Sequence, residues 1–206
     1  MEGESTKESQ TQKIPLSDGL RILRNQVESY YEKFGGVVVL IEGAWGTGKT
    51  TLATILSGGI GRIPPEKIKM IDIDQETIPI FGAGGDPTRK TLYEQARSAS
   101  GKNLIEALYL DEQKPAVLII DAESSKRVLI DEIGIWRGNV IVVNLCPDSQ
   151  SRWNNLYNRG YPVKKIVQVI NESPTKIDPD ALNIDNSLPY RLPPEEMENI
   201  LRGPNK

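Results

Sequence analysis

One stretch of sequence decides the fold of this protein: Val37-Val38-Val39-Leu40-Ile41-Glu42-Gly43-Ala44-Trp45-Gly46-Thr47-Gly48-Lys49-Thr50-Thr51. The apolar run 37–41 predicts a buried strand, and the glycines that follow allow a tight turn of the backbone. The sequence after the turn predicts a helix over 48–57. A strand, a glycine-rich turn and a helix N-terminus together direct backbone N–H groups toward one point, which is how proteins bind phosphate groups.

The side chains of this loop add chemistry to that backbone. Lys49 is placed to bridge the β- and γ-phosphates of a nucleoside triphosphate, and the Thr50 hydroxyl is placed to ligate Mg²⁺. We therefore predict a site for ATP or GTP and for Mg²⁺. The residues expected to line it are Gly43, Ala44, Trp45, Gly46, Thr47, Gly48, Lys49, Thr50 and Thr51.

The composition of the chain excludes several kinds of binding and catalysis. The 206 residues suit one α/β domain, and a net charge of −3 argues against broad, nonspecific capture of nucleic acid, although it leaves a local basic groove open. The absence of histidine excludes mechanisms that need an imidazole base. The single cysteine, Cys146, favours a reducing compartment and a buried structural thiol. With no apolar run near the ~20 residues of a membrane helix, we expect a cytoplasmic protein without a membrane partner.

Apolar strands alternate with helices after residue 37, a pattern typical of a parallel sheet covered on both faces. The predicted fold is a three-layer α/β/α P-loop NTPase fold with a mostly parallel, five-stranded central sheet. Strands are predicted at 37–41, 68–73, 116–120, 139–145 and 165–170, with a further short one near 182–185. Helices are predicted at 48–57, 88–110, 124–136, 148–158 and 194–202.

Residues 1–36 have a different character. Residues 1–13 are almost devoid of apolar side chains and predict a disordered arm. Residues 14–36 predict an amphipathic helix with an apolar face, Ser17 or Asp18 as its N-cap and Gly35-Gly36 as its stop. This helix is expected to pack on the domain at 37–202, with a partner-binding helix as the alternative, and residues 203–206 form a tail.

Carboxylates stand at the ends of two predicted strands. Asp72 and Asp74 follow the second strand, where ligands of open α/β sheets bind, and are predicted to orient or deprotonate an acceptor hydroxyl. Asp121 ends the third apolar run and is predicted to reach Mg²⁺. Asp131 is the competing metal candidate, but the apolar residues around it have helical spacing.

The fourth apolar run is Asn139-Val140-Ile141-Val142-Val143-Asn144-Leu145-Cys146-Pro147-Asp148, and it is followed by Arg152 and Arg159-Gly160. This arrangement resembles the P-loop kinases, meaning the nucleoside-monophosphate kinases and their polynucleotide-kinase-like relatives. Leu182-Asn183-Ile184-Asp185-Asn186-Ser187 is similar to a final strand of that group. The resemblance implies a central P-loop strand and transfer of the γ-phosphoryl group of Mg-ATP to an acceptor. It also implies that Arg152 and Arg159 close a lid over the transition state.

The chain also departs from that pattern. It lacks the Asp-Arg-Tyr signature of thymidylate kinases and a clear pair of monophosphate-binding arginines, for which Arg89 and Arg97 are the candidates. We expect the glycine-rich segment 82–87 to border the acceptor site. A nucleotide, a nucleic-acid end and a small molecule all stay open as the acceptor, and the oligomeric state is not predicted.

Three alternatives to a kinase remain. A motor or assembly ATPase would use Glu123 as its catalytic carboxylate and Asn144 as a polar sensor. A GTPase would read guanine with Thr175-Lys176-Ile177-Asp178 and use Asp131-Glu132-Ile133-Gly134 near the γ-phosphate. The third alternative is a nucleotide-binding module without catalytic activity.

Overall fold

A computed structural model describes residues 12–72, 117–121 and 139–203. Six parallel strands form one sheet within these residues, in the order β1-β6-β5-β2-β4-β3. The strand bearing the phosphate loop, β2, lies between β5 and β4, as the resemblance implies. The strands are β1 Ile14–Pro15, β2 Val37–Glu42, β3 Ile68–Asp72, β4 Val117–Asp121, β5 Val140–Leu145 and β6 Leu182–Asp185.

Five α-helices accompany these strands in the described residues. They are α1 Leu16–Phe34, α2 Lys49–Ser57, α3 Ser149–Asn158, α4 Val163–Glu172 and α5 Pro194–Arg202. Short 3₁₀ turns occur at Pro65–Lys67 and Leu188–Tyr190. Among the described helices, none combines the length and apolar character that a bilayer crossing demands.

Strand β2 is buried along its whole length. Because side chains alternate across a sheet, Val37, Val39 and Ile41 point to one face, where they share a core with residues of α1, α2 and α5. Val38 and Leu40 point to the other face and are only 1% exposed, so that face is covered as well. The predicted α/β/α fold is confirmed, with the two-residue β1 added at the edge of the sheet.

The N-terminal helix packs into the main core. Leu20, Leu23 and Val27 of α1 are fully buried in the cluster that contains β2. The predicted N-cap is wrong: the cap is Pro15, and Asp18 lies in the first turn, where it pairs with Arg21. The reason is that Ile14–Pro15 pairs with β6 as β1, so the chain passes directly from the sheet into the helix. Gly35 ends α1 in the left-handed conformation, as predicted.

The strand predicted at 165–170 is also wrong, since these residues lie in α4. Its β-branched content suggested a strand, but Ile166 and Val169 are buried while Lys165 and Gln168 are exposed, which is helical periodicity. The short strand near 182–185 exists as β6 and takes its place in the sheet. Other predictions fall outside the described residues: the arm at 1–11, the helices at 88–110 and 124–136, Asp74, Arg89, Arg97, Glu123, the segment 82–87, the motif at 131–134 and the last residues of the tail.

Candidate active site

The loop between β2 and α2 has the backbone of a phosphate-binding turn. Gly43, Gly46 and Gly48 all have positive φ, at 144°, 79° and 95°. Gly48 occupies the left-handed region at the N-cap of α2, which directs the first N–H groups of the helix toward the loop. The partial positive charge of the helix N-terminus therefore faces the space that the loop encloses.

Packing also requires these glycines. A Cβ atom on Gly43 would lie 2.7 Å from Thr47 Oγ1 and 2.9 Å from the Leu145 carbonyl oxygen. A Cβ atom on Gly46 would lie 2.9 Å from Leu156 Cγ. The loop is thus pressed against the end of β5 on one side and against α3 on the other.

Side chains of the loop hold its shape from within. The Thr47 hydroxyl, fully buried, donates to the Ala44 carbonyl at 2.8 Å. Lys49 Nζ donates to the Gly43 carbonyl at 3.0 Å, so the ammonium group lies along the loop rather than in solvent. Lys49 thus lies against the glycine-rich turn, and Thr50 is exposed in the first turn of α2.

Three side chains outside the loop brace its carbonyl groups. Arg152 Nε donates to the Trp45 carbonyl at 3.0 Å, Asn155 Nδ2 to Gly46 at 2.7 Å and Asn186 Nδ2 to Thr47 at 2.6 Å. In a trans peptide the C=O of one residue and the N–H of the next point in opposite directions. Holding these carbonyls from outside therefore turns the N–H groups of Gly46 and Gly48 away from the braces. We call Arg152, Asn155 and Asn186 the loop braces.

Arg152 differs from its predicted role. It is 1% exposed and bonded to the loop backbone, so in this conformation it supports the loop from beneath instead of lying on an open lid. The roles of Asn155 and Asn186 were not predicted from the sequence. One signal was available: Asn155 lies three residues after Arg152, on the same side of α3.

Arg159 lies at the other end of α3. It is the C-cap residue, with its backbone N–H bonded to the Asn155 and Leu156 carbonyls, and it is exposed. After the turn at Gly160, Tyr161 packs edge-to-face on Trp45 of the loop, with ring centroids 6.5 Å apart. The segment that follows Arg159 thus contacts the phosphate loop.

Helix α3, which supplies two of the braces, is anchored at its start. Asp148 is the N-cap, and its Oδ1 accepts from the Ser151 backbone N–H at 2.6 Å. Hydrogen bonds from the Ser151 side chain and backbone lower the pKa of Asp148, so this cap is ionised at neutral pH. The Asp148 N–H donates to Ser187 Oγ, and Ser187 in turn donates to Asp185 of β6. The position of α3 is therefore tied to both β5 and β6.

Two of the predicted carboxylates lie on neighbouring strands. Asp121 ends β4, where it is in register with Ile41 of β2 and with Asp72 of β3. The carboxyl ends of these parallel strands share the edge of the sheet at which the loop begins. Asp121 is thus on the strand next to β2, and Asp72 is one strand further along the same edge of the sheet.

Two cavities adjoin the loop. The first, of about 360 Å³, lies beside Gly43 and Ala44. The second, of about 170 Å³, lies beside Gly48 and Thr51, and Leu192, Pro194 and Met197 give it apolar walls. Apart from Gly43 and Ala44, the described residues that line the first cavity, the one of about 360 Å³, are mostly polar. They are Glu42, Asn144, Glu172, Ser173, Pro174, Lys176 and Asp178.

Residues 175–178, the segment with a guanine-reading pattern, cover part of the first cavity. They follow α4, not a strand, because the predicted strand before them is a helix. Asn144 Nδ2 donates to the Lys176 carbonyl at 2.7 Å and to Asn183 Oδ1 at 2.8 Å, and Asn183 also accepts from the Asp178 N–H. Asn144 therefore holds this segment in place, which differs from the sensor role that the ATPase alternative gives it.

Cys146 lies in the same region. It is fully buried, and burial raises the pKa of its thiol to about 11. At neutral pH the thiol is protonated, so the thiolate needed for nucleophilic chemistry is scarce. Cys146 is the buried structural thiol that the sequence predicts.

No protein-family model matches this chain, and no curated protein sequence matches it either. Solved structures do match. A provisionally assigned kinase from Chloroflexus aurantiacus has a TM-score of 0.54 at 15% identity, over 81% of this chain and 94% of that one. The tunicamycin resistance protein of Deinococcus radiodurans has a TM-score of 0.50 at 15% identity, over 80% of this chain and 93% of that one. This is the fold of the P-loop kinases. At this identity the likeness concerns the fold alone.

Proposed function

We propose that this protein is an ATP-dependent phosphotransferase that moves the γ-phosphoryl group of ATP to an acceptor hydroxyl or phosphate. The observation that carries the proposal is the braced loop, with Lys49 against it and Asp72 and Asp121 at the adjacent edge of the sheet. A glycine-rich loop that bears a lysine, with aspartates at the ends of strands on one side of it, has the parts that phosphoryl transfer needs.

In the proposed reaction, an acceptor oxygen attacks the γ-phosphorus while the bond from that phosphorus to the β,γ-bridging oxygen breaks. ADP leaves, and a hydroxyl acceptor gives its proton to a carboxylate, for which Asp74 or Asp72 is proposed, or to solvent. The loop N–H groups and Lys49 hold the negative charge of the phosphates, and positioning plus charge stabilisation supply most of the catalysis. Arg159 is proposed to approach the transferring group when Tyr161 and its segment move.

The residues present suit Mg²⁺, the ion that normally accompanies ATP. A threonine hydroxyl and a carboxylate are hard oxygen donors, which Mg²⁺ prefers. Thr50 lies in the first turn of α2, directly after the loop, and Asp121 is the last residue of the adjacent strand β4. We propose that these two residues hold the ion. When bound, it would neutralise charge on the β- and γ-phosphates.

The cavity at the start of α2 is proposed to receive the base of ATP, because its walls are largely apolar. The acceptor is proposed to bind on the other side of the phosphate loop, at the ends of β4 and β3, because Asp72, one of the two proposed proton acceptors, ends β3.

The test is phosphoryl transfer from γ-labelled Mg-ATP to pools of nucleosides, nucleoside monophosphates, 5′-hydroxyl oligonucleotides and small alcohols. We expect slow hydrolysis alone and transfer to one pool. Lys49→Ala should abolish transfer while the far-UV circular dichroism spectrum and melting temperature stay unchanged, and Lys67→Ala, an exposed lysine before β3, should keep full activity. Turnover retained by Lys49→Ala would overturn the proposal. Fast hydrolysis that ignores every acceptor would favour the ATPase alternative.

A further inference from the structure

We infer that Arg191 is a positioning residue for the phosphate loop, because it transmits the presence of a nucleotide base to the loop through Asn155. The inference rests on the proposed phosphotransferase function and on the placement of the base in the cavity at the start of α2, which we call the base cavity. Its consequence is specificity: the loop binds the phosphates of a base-bearing nucleotide in preference to free pyrophosphate or polyphosphate.

The base cavity and the phosphate loop share side chains. Asn155 and Asn186, which belong to the loop braces, both line the base cavity. Asn155 Nδ2 donates to the Gly46 carbonyl at 2.7 Å, and Asn186 Nδ2 donates to the Thr47 carbonyl at 2.6 Å. These carbonyls are consecutive in the loop, so walls of the cavity hold both peptide planes between Gly46 and Gly48. A molecule that fills the cavity therefore contacts groups that set the shape of the loop.

Arg191 lines the same cavity and is bonded to one of these braces. Its Nη2 donates to Asn155 Oδ1 at 2.8 Å. The Asn155 carboxamide is thus used at both of its ends, since its oxygen accepts from Arg191 while its nitrogen donates to the Gly46 carbonyl. Because the oxygen and the nitrogen belong to one rigid group, a shift of the guanidinium at one end reorients the donor at the other.

The two bonds of Asn155 differ in exposure. Arg191 is exposed and so is its bond to Asn155, whereas Gly46, at the other end of the connection, is buried. Water competes for both partners of an exposed bond, which therefore contributes little by itself. A base that covers Arg191 would exclude this water, and the bond would become stronger because hydrogen bonds strengthen at low dielectric. The Asn155 carboxamide, and with it the Gly46 carbonyl, would then be held more firmly.

The walls beside Arg191 decide which ligand can have this effect. Leu192 and Pro194 follow it in the chain, and with Met197 they make that side of the base cavity apolar. Such walls suit an uncharged ring and not a phosphate group. Pyrophosphate would bind at the loop and leave the exposed bond uncovered, whereas a nucleotide would fill both places. Binding of the base and binding of the phosphates are then positively coupled.

The test uses the two parts of the nucleotide as separate ligands: Mg-pyrophosphate, which has no base, and adenosine, which has no phosphate. Isothermal titration calorimetry with the full chain measures the affinity for Mg-pyrophosphate with and without saturating adenosine. The variants are Arg191→Ala, Asn155→Ala and the double variant. Arg21→Ala is the matched control, because Arg21 is also exposed and its partner, Asp18, lies on α1. Thermal unfolding checks that each variant is folded.

We expect adenosine to raise the affinity of the parent protein for Mg-pyrophosphate about fivefold, within the usual range of couplings between sites. Pyrophosphate should raise the affinity for adenosine by the same factor, because linkage is reciprocal. The factor should fall to about 1 in Arg191→Ala, in Asn155→Ala and in the double variant, since each lacks the connection. Arg21→Ala should keep the parent factor. Without adenosine, Arg191→Ala should bind Mg-pyrophosphate nearly as well as the parent, because the bond it loses is exposed.

The inference is wrong if adenosine does not change the affinity of the parent protein for Mg-pyrophosphate. It is also wrong if Arg191→Ala weakens adenosine binding while the coupling factor stays at the parent value, since Arg191 would then contact the base without acting on the loop. In both cases transfer of the γ-phosphoryl group from ATP, measured separately, would leave the phosphotransferase function standing. The expected coupling without transfer to any acceptor would support the inference and overturn the phosphotransferase function.

Discussion

Gly43 follows the last residue of β2 and begins the loop, with a φ of 144° that residues bearing a side chain rarely adopt. Its hydrogen atoms face Thr47 Oγ1 and the Leu145 carbonyl oxygen, atoms that a Cβ would approach to 2.7 and 2.9 Å. The Leu145 carbonyl belongs to a sheet strand and cannot move without disturbing β5. A single missing side chain therefore allows the loop to close against the sheet.

Gly43→Ala should weaken binding of ATP about tenfold or more, because strain of about 1–3 kcal/mol falls on the loop itself. Isothermal titration calorimetry with Mg-ATP measures the change. Gly35→Ala is the control: it also has positive φ, at 73°, but open space around its Cβ and a position at the end of α1. It should lower stability and leave ATP affinity intact. If Gly43→Ala and the parent protein bound ATP with equal affinity, the loop would tolerate a Cβ atom at residue 43 and the prediction would be wrong.

Among the elements, α3 is the one that supports the phosphate loop from outside. Its residues Arg152 and Asn155 donate to the Trp45 and Gly46 carbonyls, and its N-cap Asp148 is tied to β6 through Ser187. Asn155 Oδ1 also accepts from Arg191, beyond β6, at 2.8 Å. The helix thus connects the phosphate loop to the segment after the last strand, and a displacement of α3 would release two of the loop carbonyls.

Asn155→Ala should lower the free energy of unfolding by about 1–3 kcal/mol, because the carbonyl of the buried Gly46 loses its donor. ATP affinity should fall as well, since the loop N–H groups are less well fixed. Urea denaturation and calorimetry measure the two effects. Asn158→Ala, exposed at the end of the same helix, is the matched control and should change neither quantity. A loss of stability in both variants would point to helix propensity instead of the brace.

At the scale of the whole molecule, α1 is part of the domain and not an appendage. Leu20, Leu23 and Val27 are buried in the cluster that contains β2, and Arg24 donates to the Ile200 carbonyl of α5 at 2.9 Å. Strand β1 before the helix extends the sheet beyond β6. The N-terminal segment therefore covers the face of the sheet that supports the phosphate loop.

Leu23→Ala should destabilise the protein by about 2–5 kcal/mol, the cost of a cavity in a packed core. Its neighbour Ile22 is 38% exposed, so Ile22→Ala should cost clearly less. Thermal and urea unfolding of both variants measure the difference. Similar losses would mean that α1 contributes by helix formation alone and is not part of the core.

The phosphate loop, the strands around it and helix α1 could all be predicted from the sequence. These features depend on short-range signals: a glycine pattern, an apolar run of five residues at 37–41 and helical spacing along 16–34. Each residue in them responds to neighbours within about one or two turns. Asp72 and Asp121 were also predictable at the edge of the sheet, because parallel strands bring their carboxyl ends together.

Three features depend on long-range packing and could not be predicted: the helix at 163–172, the burial of Arg152, and the bracing of the loop by Asn155 and Asn186. Local β-branched content favoured a strand at 165–170, and packing of Ile166 and Val169 against Leu156 of α3 favoured the helix. The bonds Arg152–Trp45 and Asn186–Thr47 join residues 107 and 139 positions apart. No local pattern records such contacts, because they exist only after the sheet has brought the ends of β2, β5 and β6 together.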